Sequence, residues 1–412
     1  TTLQSVYAKK NVKVLIENFF SLIVLRGFDF LIPLITFPYI VKVIGIENFG
    51  LVSFALAFSI YFGALIQYGF SITATRDIAR SRDDKEKLEF IYSVTLTTSI
   101  VLAIFSSIIY ALVVLFFEKF SEHQLLYWLT FLSIVFKSLF PIWLFQGIER
   151  MKYITYLSLL SKFVFVGSLF FVIREESDYI YVPVLNGIAA FLSLLVAIFI
   201  IYKEFNIKYT LPLLKHIWAQ LVYGRHAFVN QFVPNLYSNS TVFLLGIFTN
   251  NTVVGVFSAA TKVIDVVGSL AYVFSNACLP YLSRNINKHK IFKIIMLFNG
   301  LLLMILLILT ADVISELLFN DVNKDVSFYI CILSPAIPLI FIQLTFGSNY
   351  LMLVGKEKLV KNITLLVSLF SLSYSIAGIY LYGIYGAIFT LIFTRVVLSI
   401  FYYLYYIKLS RF

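Results

Sequence analysis

Apolar runs long enough to cross a bilayer recur along the whole chain. Because a helix crosses the hydrocarbon core in about 20 residues, cutting at charged and Gly/Asn clusters gives about twelve candidate spans. Their approximate limits are 14–43, 50–77, 89–117, 124–148, 153–173, 180–202, 223–248, 253–282, 290–311, 326–354, 359–382 and 383–407. Apolar and polar residues do not alternate within these runs, and a backbone in lipid must satisfy its own hydrogen bonds. The pattern therefore predicts an all-α polytopic membrane protein.

Composition agrees with this prediction. The chain has 412 residues, of which 60% are hydrophobic and 13% are charged, and its mean hydropathy is +0.93. In a soluble protein a net charge of +11 would suggest nucleic acid, but in a membrane protein Lys and Arg hold loops in the cytoplasm. The 2 cysteines lie in apolar runs and the 4 histidines lack metal-ligand spacing. We therefore expect no disulfide framework, no cofactor and no nucleic-acid partner.

The distribution of Lys and Arg predicts the orientation. With the N-terminus inside, 23 of the 32 Lys and Arg residues fall in cytoplasmic segments and 4 fall on the opposite side. The first apolar run is long enough to span, so we expect no cleavable signal peptide. Both termini are therefore predicted to be cytoplasmic.

The two halves of the chain repeat each other weakly. Corresponding residues lie 201 to 205 positions apart: Gly45 and Gly246, Pro33 and Pro234, and Gly50 and Gly255. The repeat predicts two six-helix lobes, 1–202 and 223–412, related by an axis along the membrane normal. Between them, the segment 203–222 contains "YTLPLLKHIWAQLV". A cap at Thr210 and a proline at Pro212 predict an interfacial cytoplasmic helix there.

Seven charged residues fall inside the predicted spans. They comprise the i, i+3 pairs Arg26–Asp29 and Lys262–Asp265, together with Lys137, Lys162 and Arg395. Each would cost about 3 kcal/mol if it faced lipid at mid-bilayer, so they must face protein or a hydrated cavity. The two pairs could be local ion pairs, whereas the three unpaired cations favour a cavity lining. The set carries a net charge of +3, which predicts an anionic ligand.

The seventh span carries a polar stripe within "NQFVPNLYSNST". Gln231, Asn235, Ser238 and Asn239 share one helix face, and Asn230 corresponds to Asp29 in the repeat. Hydrogen bonding between helices is one interpretation. The width of the stripe favours a lumen whose amides and hydroxyls suit sugars. Asp29 and Asp265 are candidates for ion coupling, because a carboxylate beside a cation can change protonation.

Several stretches together resemble a known family. "FPIWLFQGIERMKYITYLS" (140–158), "LPLITFPYIVKVIGIENFGLVSFA" (32–55), "SITATRDIAR" (71–80) and "LYSNSTVFLLGIF" with "VVGVFSAATKV" are similar to bacterial O-antigen flippases of the Wzx type. These belong to the multidrug/oligosaccharidyl-lipid/polysaccharide superfamily. The resemblance implies two six-helix bundles in a V around a cationic lumen in the inner membrane. It also implies flipping of undecaprenyl-diphosphate-linked repeat units to the outer leaflet, with polysaccharide polymerase and chain-length machinery as candidate partners.

Two other functions stay open. An ion-coupled exporter of the same superfamily would share the two lobes, but it usually needs an acidic lumen for cationic drugs. A membrane polysaccharide polymerase or glycosyltransferase would need catalytic residues on a sizeable outer loop, and the predicted outer loops are short. We therefore predict a transporter and not an enzyme.

We predict that reporter fusions after Arg82 will report the cytoplasm and that fusions after Asp178 will report the opposite side. The measurement is the paired activity of a reporter that is active only inside and one that is active only outside. A reversed signal at either site would overturn the predicted spans.

Overall fold

The computed structural model describes the backbone of residues 2–319 and 324–410. It describes the side chains of residues 27–28, 32–33, 35–229, 231–232, 239–279, 281–319 and 325–410. No strand occurs in these ranges.

The secondary structure is a succession of helices. They are α1 (Thr2–Gln67), α2 (Phe70–Ser81), α3 (Lys85–Phe116), α4 (Glu118–Ser121), α5 (Gln124–Leu139), α6 (Ile142–Gly147), α7 (Met151–Val172), α8 (Tyr181–Lys203), α9 (Leu214–Phe248), α10 (Asn251–Arg284), α11 (His289–Phe319), α12 (Lys324–Leu333), α13 (Ala336–Gln343), α14 (Glu357–Tyr382) and α15 (Ile384–Ser410). Short 3₁₀ turns lie at Glu176–Ile180 and Ile286–Lys288, and a π-helix spans Leu344–Met352.

Ten helical stretches in the described ranges are long and apolar enough to cross a membrane. The chain is therefore an all-α polytopic membrane protein. Most of the first predicted span lies outside the described side chains. In the seventh predicted span, the apolar helix found among the described residues is the shorter Asn239–Phe248. Elsewhere the bounds agree closely with the sequence pattern, as for α7 and α14.

Residues with left-handed backbone conformation interrupt the chain between the first two predicted spans and within the second. The predicted loop between residues 43 and 50 is reduced to Gly45, whose φ of 78° interrupts α1. A second break lies at Tyr68 and Gly69, with φ of 43° and 74°, inside the segment predicted as one helix over 50–77. Because glycine carries no Cβ, it reverses φ at little cost, and one residue is enough to redirect the chain.

Prolines divide two spans that the sequence pattern predicts as continuous, 124–148 and 326–354. Pro141 separates α5 from α6, and Pro335 separates α12 from α13. Proline lacks an N–H donor and clashes with the preceding turn. Beyond α13 the chain continues as the π-helix, where the buried His289 Nε2 lies 2.9 Å from the Thr345 carbonyl oxygen. This side chain thus supplies a hydrogen-bond partner to the irregular backbone.

The predicted interfacial helix begins later than expected and is continuous with the helix of the seventh span. Helix α9 begins at Leu214 and continues through the seventh span to Phe248. The Thr210 N–H donates to Ser93 Oγ (3.0 Å), and the Lys208 N–H donates to Glu89 Oε1 (3.0 Å). These bonds hold residues 206–213 against α3, so Thr210 does not cap a helix.

The chain divides into two compact units. Unit 1 comprises residues 1–37 and 58–232, and unit 2 comprises residues 38–57 and 233–412. Unit 1 has a core around Trp143 and Phe145, and unit 2 has one around Phe346 and Tyr402. The two six-helix lobes stay a prediction from the repeat.

Two glycines that correspond in the repeat meet in unit 2. A Cβ on Gly50 would lie 1.8 Å from the Asn251 carbonyl oxygen, and a Cβ on Gly255 would lie 2.0 Å from the Ile46 carbonyl oxygen. Each glycine thus faces the residue four positions before the other. Small residues allow such backbone contact between membrane helices. The contact is reciprocal, as a two-fold relation between the helices would require.

We predict that Gly50→Ala and Gly255→Ala each lower the thermal midpoint and the membrane abundance of the protein. The added methyl group must push two backbones apart, and such overpacking typically costs about 1–3 kcal/mol. The control is Gly167→Ala in α7, because a Cβ there would meet nothing within 4 Å. Equal thermal midpoints for all three variants and the wild type would contradict the proposed contact.

Candidate functional site

Unit 2 brings three of the predicted site residues together. Lys262 and Asp265 lie on α10 and Arg395 lies on α15, and the charges of both cations act on the Asp265 carboxylate. Among the described side chains, none of these three residues forms an ion pair within 4 Å. With all three side chains ionised, the cluster carries a formal net charge of +1.

The two cations of this cluster lie at the same depth along their helices. Lys262 is eleven residues after Asn251, where α10 begins, and Arg395 is eleven residues after Ile384, where α15 begins. At a rise of 1.5 Å per residue this is roughly 16 Å. Since both helices are predicted to begin on the outer side of a core about 30 Å thick, both cations are expected near mid-depth.

A side chain from α13 bonds to the backbone of Arg395, and one N–H group of the Arg395 side chain has no hydrogen-bond acceptor among the described residues. The Gln343 side chain donates through Nε2 to the Arg395 carbonyl oxygen at 2.9 Å, which ties α13 to α15. The Arg395 side chain is half-buried, and its Nε atom is buried without a hydrogen-bond partner in the described part of the chain. A buried donor left unpaired costs about 1–3 kcal/mol. An acceptor on a bound ligand would relieve this cost.

A second polar contact anchors α10 to the π-helix. Asn349 is fully buried and donates through Nδ2 to Ser275 Oγ at 2.8 Å, while its Oδ1 has no partner among the described residues. Sequence reasoning missed both Gln343 and Asn349. The signal was present, because each is an amide within the predicted membrane span 326–354.

The cations of unit 1 lie in different settings. Lys137 is exposed in the last turn of α5, just before the Phe140–Pro141 break, where the helix dipole favours a positive charge. Lys162 is half-buried at the middle of α7, and the neighbouring Phe163 ring meets the Phe28 ring at 5.6 Å. Helix α1 therefore passes α7 at the level of Lys162. The side chains of Arg26 and Asp29, on either side of Phe28, lie outside the described residues.

One member of the predicted polar stripe joins helices of unit 1. Gln231 Nε2 donates to Gln67 Oε1 at 3.1 Å, and Ser71 Oγ donates to Gln231 Oε1 at 3.5 Å. Sequence reasoning missed Gln67 and Ser71 as partners. Of the other members, Asn239 is half-buried, and the side chains of Asn230, Asn235 and Ser238 are not among those described.

The helices and their polar side chains together indicate a class of protein. Membrane-length helices with breaks, buried amides and mid-depth cations are typical of transporters, in which polar groups at membrane depth line a path. Within the described residues, no group of three or more His, Cys, Asp or Glu could hold a metal ion.

The sequence profile of one family matches residues 15–286, which is about two thirds of the chain. The chain belongs to this family, whose description is "Polysaccharide biosynthesis protein". Two curated relatives are named "Putative O-antigen transporter". The one from Escherichia coli K12 is 27% identical and covers 86% of this chain and 88% of the relative. The one from Shigella dysenteriae is 26% identical and covers 93% and 98%.

Solved structures show the same fold. The inward closed conformation of the lipid II flippase MurJ has a TM-score of 0.72 at 15% identity, covering 96% of this chain and 87% of that chain. An inward-facing multidrug resistance MATE family transporter of the MOP superfamily has a TM-score of 0.64 at 16% identity, covering 92% and 95%. The chain thus has the same fold as this flippase and this transporter.

We predict that Arg395→Ala lowers polysaccharide export strongly at normal protein abundance and that Arg395→Lys impairs it partly. Arginine holds an anion with two parallel hydrogen bonds, whereas lysine supplies only a point charge. The measurement is surface polysaccharide in cells that lack their own transporter, normalised to membrane-inserted protein. Lys408→Ala is the control, because Lys408 is an exposed cation in the last turn of the same helix. Normal export by Arg395→Ala would remove Arg395 from the site.

Proposed function

We propose that this protein is a flippase for lipid-linked oligosaccharides. It moves undecaprenyl-diphosphate-linked repeat units of O-antigen, or of a related surface polysaccharide, from the cytoplasmic to the periplasmic leaflet of the bacterial inner membrane. Both termini lie in the cytoplasm. The names of the curated relatives support the substrate class. The observation that carries the proposal is the Arg395 side chain, whose Nε is buried without a hydrogen-bond partner in the described part of the chain.

A diphosphate that passes through the bilayer plane needs counter-charges on its path. Removing an ionised group from water without a partner is costly, and an opposite charge offsets that cost. Arg395 and Lys262 would supply such charges at one depth of unit 2. Since Arg395 Nε has no acceptor among the described residues, a phosphate oxygen would satisfy it without breaking an existing bond.

Asp265 gives this cluster a way to change its charge. The charges of Lys262 and Arg395 both act on its carboxylate. When the substrate diphosphate arrives, the same carboxylate repels it. Protonation of Asp265, or its binding of a cation, would therefore favour loading. We propose that Asp265 couples substrate binding to an ion in this way, and that Asp29 is the corresponding candidate on α1.

The net charge of the described cluster separates this function from drug export. A transporter of cationic drugs needs a net negative site, whereas Lys262, Asp265 and Arg395 together carry +1. The likeness to MATE transporters is one of fold, at 16% identity. The cluster therefore favours an anionic substrate.

Alternating access requires contacts between the predicted lobes to part at each end in turn. Near the predicted cytoplasmic end, in unit 1, Tyr68 stacks on Phe228 at 4.7 Å and Gln67 bonds to Gln231. Near the predicted outer end, in unit 2, Phe54 stacks on Phe243 at 5.9 Å beside the Gly50–Gly255 contact. We infer that these two contacts are the inner and outer closures.

Cysteine cross-linking tests this transport cycle. In a background with Cys278 and Cys331 replaced by alanine, Gln67→Cys with Gln231→Cys would lock the inner contact, and Phe54→Cys with Phe243→Cys would lock the outer contact. Purified protein in vesicles would be oxidised, and movement of undecaprenyl-diphosphate-linked oligosaccharide to the opposite leaflet would be measured by its accessibility to an added glycosidase. We expect each disulfide to stop movement and reduction to restore it, while the four single-cysteine variants stay active under both conditions.

Full movement with either pair completely cross-linked would overturn the assignment of that contact as a closure. No difference between vesicles containing the uncross-linked protein and empty vesicles would overturn the flippase function itself.

A further inference from the structure

A surface cavity lies in unit 1. Its volume is about 280 Å³, and it opens where the α2–α3 turn, the α6–α7 turn and the segment after α8 meet. Four apolar side chains line it: Leu88, Ile148, Phe205 and Ile207. Leu88 and Ile207 are buried, at 6% and 5% exposure, so the cavity has a firm apolar floor.

Specific contacts hold the three segments around the cavity. Arg82 Nη1 lies 2.9 Å from Glu149 Oε2, which joins the end of α2 to the α6–α7 turn. A Cβ on Gly147 would lie 2.6 Å from Ile78, so α6 packs directly on α2. The segment after α8 is fastened to α3 by the Lys208 N–H bond to Glu89. Contacts within the protein therefore hold the segments that surround the cavity, without any bound ligand.

The rim of the cavity is cationic. Arg82, Lys85 and Arg150 line it, and Asp83 is the single carboxylate among its lining residues. Glu149 already pairs with Arg82, and the Lys85 ammonium is 3.9 Å from Glu89. Among the side chains that the structure describes, no carboxylate lies within 4 Å of Arg150. Arg150 thus carries the least compensated positive charge of the rim.

Position and size indicate what this cavity accepts. All its segments belong to the face that the Lys/Arg distribution assigns to the cytoplasm, where the leaflet surface carries anionic lipids. A volume of about 280 Å³ is below the usual range for drug-sized ligands, about 300–1,000 Å³, and leaves no room for an oligosaccharide. It suits a phosphate with a glycerol unit, and the apolar floor suits the first methylenes of an acyl chain.

We propose that this cavity binds the phosphate head group of an anionic membrane phospholipid. Arg150 is the main phosphate contact, with Arg82 and Lys85 beside it, while Ile148 and Phe205 contact the lipid chain. A lipid seated here would join the α2–α3 turn to the α6–α7 turn. This site is independent of the proposed flippase function, and either one could fail without the other.

Native mass spectrometry of the full-length protein in detergent tests the proposal. Phosphatidylglycerol would be titrated against phosphatidylcholine, and the affinity of the tightest lipid would be compared among variants. We expect Arg150→Gln to weaken phosphatidylglycerol binding about tenfold, which corresponds to about 1.4 kcal/mol. We expect Ile148→Trp, which fills the cavity without changing charge, to do the same. Phosphatidylcholine binding should be weak in every variant.

The matched control is Lys152→Gln, which removes a positive charge two residues from Arg150 on a side chain that does not line the cavity. We expect it to bind phosphatidylglycerol like the wild type. Thermal midpoints in lipid-free detergent should agree among the four proteins, which establishes that each is folded.

Three results would overturn the proposal. The first is equal loss of binding in Lys152→Gln and Arg150→Gln, since it would reduce the effect to overall charge. The second is complete competition by millimolar inorganic phosphate, since the site would then recognise a free anion. The third is tighter, Arg150-dependent binding of undecaprenyl diphosphate than of phosphatidylglycerol, since the cavity would then belong to the substrate.

Discussion

The bilayer core contains no water, so every polar group of a spanning helix must find its partner within the protein or in a hydrated cavity. The irregular parts of this fold follow from that constraint. Pro335 interrupts the tenth predicted span, the chain continues as a π-helix, and the His289 ring supplies a partner to the Thr345 carbonyl. Asn349 is fully buried on the same π-helix and bonds to Ser275. Polar side chains in these spans therefore stabilise the interrupted helices by hydrogen bonding.

The same constraint separates the charges of the molecule into two groups. Arg82 and Glu149 pair at the surface, where water also solvates them and the pair contributes little to stability. Arg395 is predicted to lie near mid-depth; its side chain is half-buried and its Nε has no partner in the described ranges. A charge kept at that depth needs a compensating role, and binding an anion supplies one.

Hydropathy alone predicted most of the helices, because each span must be apolar over its whole length. The spacing of Lys262 and Asp265 also predicted that they share one helix face. In the structure, Arg395 from α15 joins them, and its charge acts on Asp265. Hydropathy could not predict that a loop would shrink to Gly45, or that residues 206–213 would bond to α3, because both depend on distant neighbours. Gln343 was missed for a related reason: its partner is a backbone carbonyl 52 residues away, and a backbone carbonyl leaves no mark in the sequence.

The repeat offers a way to distinguish residues that hold the scaffold from residues that act on a ligand. Gly50 and Gly255 correspond at an offset of 205, and they supply the two sides of one contact between α1 and α10. At the same offset Lys262 and Asp265 correspond to Ala57 and Ile60, which carry no charge. If the packing of α10 required this charge pair, the equivalent helix would need a similar pair at these positions. The glycine of the helix contact is thus repeated at this offset while the charge pair is not, which favours a role for Lys262 and Asp265 other than helix packing.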